Sequence, residues 1–185
     1  MKAIRDGSVD VSVLIVNYNS TGLALDLMRS LLAQDPRAPD GSRLRVECVF
    51  VDNASPMVDD EKLSEIRNLI GSELPGHVVL NTQNAGYAGG MNLAYRHARG
   101  EYVFVLNPDV MFFPDCTGRL YRYLVTHPDA GAAGPQAWWE HDKRVRLPPN
   151  ILPTMWDLFF CTLAHIVPSV NRRYMDARVR ATLRT

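Results

Sequence analysis

The sequence predicts an α/β domain built on a mostly parallel sheet with helices on both faces, and three observations carry that prediction. Short β-rich apolar runs alternate with segments of helical spacing from residue 11 to residue 135, in the order β-α-β-α-β-α-β-α-β. Glu101–Leu106 is nearly all apolar, as expected of a strand covered on both faces. Polar residues gather where the runs end: Asn17 and Asn19, Asp52 and Asn53, Asn84, then Asn107 and Asp109. Ligands of open α/β sheets bind outside the carboxyl ends of strands, so these ends read as one site.

Val11–Val16 (VSVLIV) is the first strand, and Asn19 or Ser20 can cap the helix after it, where Leu23, Leu27, Leu31 and Leu32 recur at helical spacing. Asp35–Gly41 is a loop, and Arg45–Val51 (RVECVFV) is the second strand. Ser55 followed by Pro56 reads as an N-cap and first-turn pair opening a helix through Leu63, Ile66 and Ile70. His77–Leu80 is a short third strand. Ala85–Gly90 then supplies three glycines in six residues, a turn that lets backbone approach a ligand or adopt positive φ. Met91, Leu93, Ala94 and Ala98 continue as a helix closed by Gly100 at the C′ position, and Glu101–Leu106 is the fourth strand. Pro114–Thr126 is a helix with Leu120, Tyr123 and Leu124 inward, and Ala130–Pro135 is a fifth strand.

Regular alternation stops near Gln136, which divides the chain into an α/β domain over 1–135 and a loop, apolar helix and basic tail over 136–185. Ile151–Val170 is apolar, but Pro153, Asp157, His165 and Pro168 argue against a membrane span. A packing helix and a helix lying in a membrane interface both fit it. Arg172, Arg173, Arg178, Arg180 and Arg184 follow against a single Asp176. They read as a solvated helix face or frayed tail, or else as a contact for anionic lipid or phosphate, which would make 151–185 the segment of any peripheral membrane contact.

The 185 residues are 46% hydrophobic and 22% charged with a formal net charge of zero, ordinary for a soluble globular protein and without the basic excess of a nucleic-acid binder. Cys48, Cys116 and Cys161 are odd in number and lack CxxC spacing, which reads as buried thiols in a reducing compartment. Val11–Val16 is too short for a signal-peptide core, so the expected location is the cytoplasm, with the inner membrane face as the place of any membrane contact. No zinc-type cluster and no Ser/His/Asp set is recognisable, and the glycine run matches neither G-x-G-x-x-G nor the P-loop pattern.

Two carboxylates stand out. Asp109 follows a stiffening proline at a strand end, and one carboxylate plus a diphosphate suits a hard cation such as Mg²⁺ or Mn²⁺. Asp52 can accept a hydrogen bond from the ring N–H of a pyrimidine, with neighbouring asparagines serving the carbonyls. A turn aspartate and a helix cap are the plain alternatives for these two.

VSVLIVNYNS, VFVDNAS and NAGYAGGMNLAYRHARGEYVFVLNPDV, in that order and spacing, resemble the nucleotide-binding half of family 2 glycosyltransferases, closest to their rhamnosyltransferase-like branch. The resemblance covers roughly residues 9–150 and implies a GT-A-type, Rossmann-like fold. It implies that Asp52 contacts a pyrimidine base. The nucleotide pocket would be lined by Asn17, Tyr18, Asn19, Asn53, Asn84, Gly86, Gly89 and Asn107. Asp109, in Asn107-Pro108-Asp109 where the family keeps its Asp-x-Asp motif, would ligate Mg²⁺ or Mn²⁺.

The implied reaction is inverting transfer of a sugar, rhamnose for this branch, from a UDP- or dTDP-linked donor to a glycan or lipid-linked acceptor in cell-surface glycan synthesis. A homo-oligomer is compatible with the sequence. Such a reaction needs a general base, and none of Asp115, Asp129, Glu140, Asp142, Asp157 and Asp176 stands in a matching context. A truncated fragment, half of a split enzyme that needs a partner chain, or a nucleotide-sugar-binding module without transferase activity are the readings of that mismatch. The expectation is metal-dependent nucleotide binding with poor transfer by this chain alone.

Overall fold

The computed structural model describes residues 7–138. Its elements run β1 (Val11–Asn17), α1 (Thr21–Leu32), β2 (Val46–Asp52), α2 (Asp60–Ser72), β3 (Gly76–Leu80), α3 (Gly86–His97), β4 (Tyr102–Leu106) and α4 (Cys116–Thr126). All of them lie in a unit ending at Ala133. The strands form one parallel sheet in the order β3-β2-β1-β4.

Burial explains the layering. β1 and β2 are central, so both faces of each are covered and their apolar runs are continuous. Val13, Ile15, Cys48 and Phe50 face α1 and α2 through Leu25, Leu27, Met28, Leu63, Ile66 and Ile70. Leu14, Val16, Val49 and Val51 face α3 through Ala94 and Ala98. Helices therefore cover both faces, and each fully buried Val, Leu, Ile, Phe or Met side chain contributes about 1.5–3 kcal/mol. The small side chains of α3 let it lie close: a Cβ on Gly90 would stand 2.8 Å from Val16 Cγ1.

The order reverses at β1. Chain leaving β1 and β2 returns over one face, whereas chain leaving β3 crosses the other face by α3 to reach β4. This reversal opens a crevice between the carboxyl ends of β1 and β4.

Several expectations are corrected. Helix α2 begins at Asp60, capped by Asp59, whose carboxylate accepts from the Lys62 N–H, and not at Pro56. Ser55 does not cap it because its hydroxyl is bound to Asp52 Oδ1 at 2.7 Å. Neither Asn19 nor Ser20 caps α1 through its side chain; Asn17 Oδ1, three residues before Ser20, accepts from the Ser20 N–H and hydroxyl. Leu23 is exposed, and Ala24 and Met28 take its place in the core.

The glycines are not a turn ahead of a helix: Gly86 opens α3 at φ +69°, and Gly89 and Gly90 lie within it. Gly100 is not a left-handed C′ residue either. It is glycine because a Cβ there would fall 2.4 Å from the Ser12 nitrogen.

β4 is an edge strand among the described residues, with Val105 half exposed, so it is not covered on both faces. Residues 130–135 form no strand. In α4 the inward residues include Thr117 and Gly118, Tyr123 is exposed, and Tyr121 stacks edge-on to Tyr102. Cys48 is buried but Cys116 only partly so. Expectations for Cys161, the apolar helix and the arginine-rich tail lie outside the described residues. Among the described residues no helix is long and apolar enough to cross a membrane.

Candidate functional site at the carboxyl ends of the strands

Asn17 and Asp52 are register partners at the last positions of β1 and β2, both buried. Asn17 Nδ2 donates to Asp52 Oδ1 at 2.8 Å, and the Ser55 hydroxyl donates to the same oxygen. The Ser55 N–H donates to Asp52 Oδ2 at 3.0 Å. A carboxylate offers about four acceptor positions, so one remains for a ring N–H. Ser55 Oγ also accepts the Asn19 N–H, and Asn19 Oδ1 accepts the Met57 N–H, which ties the loops after β1 and β2 together. Asn19 and Ala54 both sit at positive φ, 57° and 60°. Alanine in that region carries about 1–2 kcal/mol of strain, held here by the surrounding bonds.

Asn53 is 2% exposed and reaches in the other direction. Its amide engages Asn81, Asn84, the Ala85 N–H and the Gly86 carbonyl, so the chain between β3 and α3 hangs on it. Gly86 and Asn84 are exposed on that loop, and Gly89 follows one turn into α3. Tyr18 is 47% exposed beside the β1 end.

The structure thus joins Asn17, Asn19, Asp52, Asn53, Asn84 and Gly86 into one hydrogen-bonded rim. Asn107 and Asp109 are placed separately, just beyond Leu106, which pairs with Ile15 across the reversal of strand order. Both are exposed, and Asp109 makes no hydrogen bond or ion pair among the described residues.

A hard cation fits this donor set. An exposed uncommitted carboxylate and an amide oxygen are both hard donors, and Mg²⁺ or Mn²⁺ keeps most positions for water and phosphate oxygens. Among the described residues no group of three or more His, Cys, Asp or Glu could hold a metal unaided. Asp115, the next acid, is committed to Arg122 at 2.5 Å.

Sequence reasoning missed Ser55 and Asn81. Ser55 lay within VFVDNAS but was assigned to a cap, and Asn81 stands one residue past β3, where the other strands also carry polar residues. It also missed Glu47, a charge inside an apolar strand. Glu47 binds the Ser12 hydroxyl and the Arg99 N–H and guanidinium at the far end of the sheet. A cavity of about 520 Å³ lies at that far end too, lined by Val9, Gln34, Leu44 and Arg99 among others, away from the strand-end site.

Residues 12–174 match the family described as Glycosyl transferase family 2. The chain belongs to that family.

A curated protein of Mycobacterium tuberculosis (strain CDC 1551 / Oshkosh), named among glycosyltransferases, is 28% identical over 117 residues, 63% of this chain and 32% of that protein. The chain thus spans about a third of the length of this relative. S. aureus TarS 1-349, solved in complex with UDP, is similar with TM-score 0.53 and 23% identity over 72% of this chain and 40% of that one. A mannosyltransferase from Pyrobaculum calidifontis, solved with GDP-Man and Mn²⁺, is similar with TM-score 0.53 and 25% identity, covering 67% of this chain and 34% of that one. These likenesses agree with the α/β fold.

Proposed function

We propose that this chain carries the donor site of a glycosyltransferase that takes a sugar from a UDP- or dTDP-linked donor. The observation that carries the reading is the strand-end rim. A buried Asp52, held by Asn17 and Ser55, lies on one side of the order reversal, and an exposed, uncommitted Asp109 lies on the other. Family membership supports sugar transfer, and the similar structures that hold UDP or GDP-Man support a nucleotide sugar as donor.

In this reading Asp52 and the loop around Asn19 receive the base, Asn84 and the start of α3 border the nucleoside, and Asn107 with Asp109 hold Mg²⁺ or Mn²⁺ at the diphosphate. Bound there, the cation would offset charge on the departing diphosphate. The chain's own part is orientation. The rim fixes the nucleotide so that the sugar carbon faces an acceptor hydroxyl for in-line displacement with inversion. Rhamnose as the sugar and a cell-surface glycan or lipid-linked acceptor belong to the same proposal, as does residue 136 as the start of an acceptor-side region.

Equilibrium dialysis with labelled UDP-, dTDP- and GDP-sugars in Mn²⁺ tests it. Retention of a UDP- or dTDP-sugar, displaced by the free nucleotide, is expected. Retention of none, or of GDP-mannose ahead of both, contradicts the proposal.

A further inference from the structure

The amide orientations around Asn53 can be assigned from backbone groups whose roles are not in doubt. The Ala85 N–H can only donate, so the atom of Asn53 it meets at 3.2 Å is Oδ1. The Gly86 carbonyl can only accept, so the atom of Asn53 it meets at 3.1 Å is Nδ2. The Gly86 N–H likewise makes its partner at 2.9 Å the Oδ1 of Asn84. The remaining two bonds then agree: Asn53 Nδ2 donates to Asn84 Oδ1 at 2.9 Å, and Asn81 Nδ2 donates to Asn53 Oδ1 at 3.0 Å. All four hydrogen-bonding positions of the Asn53 amide are filled.

Two consequences follow, resting on the nucleotide reading above. We infer that Asn53 is a positioning residue, which sets the 81–86 loop and has no capacity left for a ligand, and that Asn84 is the contact residue it presents. Asn84 spends only its oxygen inward, accepting from Asn53 and from Gly86, and its Nδ2 has no partner among the described residues. That NH₂ group is a donor on an exposed rim. Its complement is an acceptor on the nucleoside, a base carbonyl or a ribose oxygen, rather than a donor.

The amide of Asn53 is specifically required. A carboxylate of the same shape would set oxygen against Asn84 Oδ1 and against the Gly86 carbonyl, replacing two bonds by two repulsions. At Asn84 the isosteric acid keeps both accepted bonds and loses only the outward donor. The two substitutions therefore separate positioning from contact.

The test is amide hydrogen exchange at Ala85 and Gly86, together with uridine binding followed by NMR; uridine lacks phosphate, which limits the effect of an added charge. Asn84→Asp should leave exchange as in the parent protein and weaken uridine binding roughly tenfold. Asn53→Asp should raise exchange at Ala85 and Gly86 at least about tenfold and weaken binding as well, with Asn53→Ala as a second variant should the acid fail to fold. Unchanged exchange in the Asn53 variants overturns the positioning role, and parent-like binding by Asn84→Asp overturns the contact. Failure of the parent protein to bind uridine counts against the nucleotide reading and against the Asn84 contact with it, while exchange still decides Asn53.

Discussion

Asn17 and Asp52 close two adjacent parallel strands with a side-chain hydrogen bond of 2.8 Å between register partners. The bond makes the ends of β1 and β2 one surface, and it fixes the amide of Asn17 as donor toward Asp52 and acceptor toward Ser20. Asn17→Asp would bring a second carboxylate against Asp52 in a buried setting. The variant should lose about 2–4 kcal/mol of stability at neutral pH. The loss should shrink as pH falls, because a proton shared between the two carboxyls restores the bond. Urea denaturation at pH 7 and pH 5 reads both effects.

Gly90 tests the close approach of α3 to the sheet. Gly90→Ala should cost about 1–3 kcal/mol despite the better helix propensity of alanine, because Val16 is branched and cannot swing away. Val16→Ala in the same chain should recover much of that loss, by thermal melts of the single and double variants.

The Glu47 cluster governs acid stability. Burial pushes the Glu47 carboxyl up, but the Ser12 hydroxyl and the Arg99 N–H and guanidinium outweigh it and hold the group below the ordinary glutamate range. Its stabilisation is therefore complete above that range and is lost as pH falls below it toward the depressed folded value. Glu47→Gln removes the charge-assisted bonds of a fully buried carboxylate and, because the Arg99 it leaves behind is partly exposed and can be hydrated, should cost about 1–3 kcal/mol at pH 7. Its stability should also vary less with pH across the acid limb, as read by denaturation from pH 6 to pH 3.

β1 and β2 were legible in the sequence because central parallel strands bury both faces and so read as unbroken apolar runs. β4 reads the same way in YVFVL, yet it is an edge among the described residues; composition reports what a strand can bury, not what lies beside it. The α2 start was misplaced because Ser55 and Asp59 are both good caps, and only the fold shows that Asp52 claims the Ser55 hydroxyl. The polar strand ends were readable one by one. That Asn53 faces the 81–86 loop while Asp52, its neighbour, faces Asn17 depends on strand alternation and on loop paths that spacing does not encode.

Asp109 carries the metal claim, and its replacement should touch nothing else. Asp109→Ala removes an exposed side chain without partners among the described residues, so stability should stay within about 0.5 kcal/mol of the parent chain. Matched denaturation curves check this before any binding result is read.

Calorimetric titration of the parent chain and Asp109→Ala with UDP and dTDP, with and without Mn²⁺, tests the central claim most directly. The account predicts that Mn²⁺ tightens nucleoside diphosphate binding to the parent chain and that the variant loses that metal dependence. Equal binding by both proteins in the presence of Mn²⁺, or no binding by the parent under any condition, would contradict it.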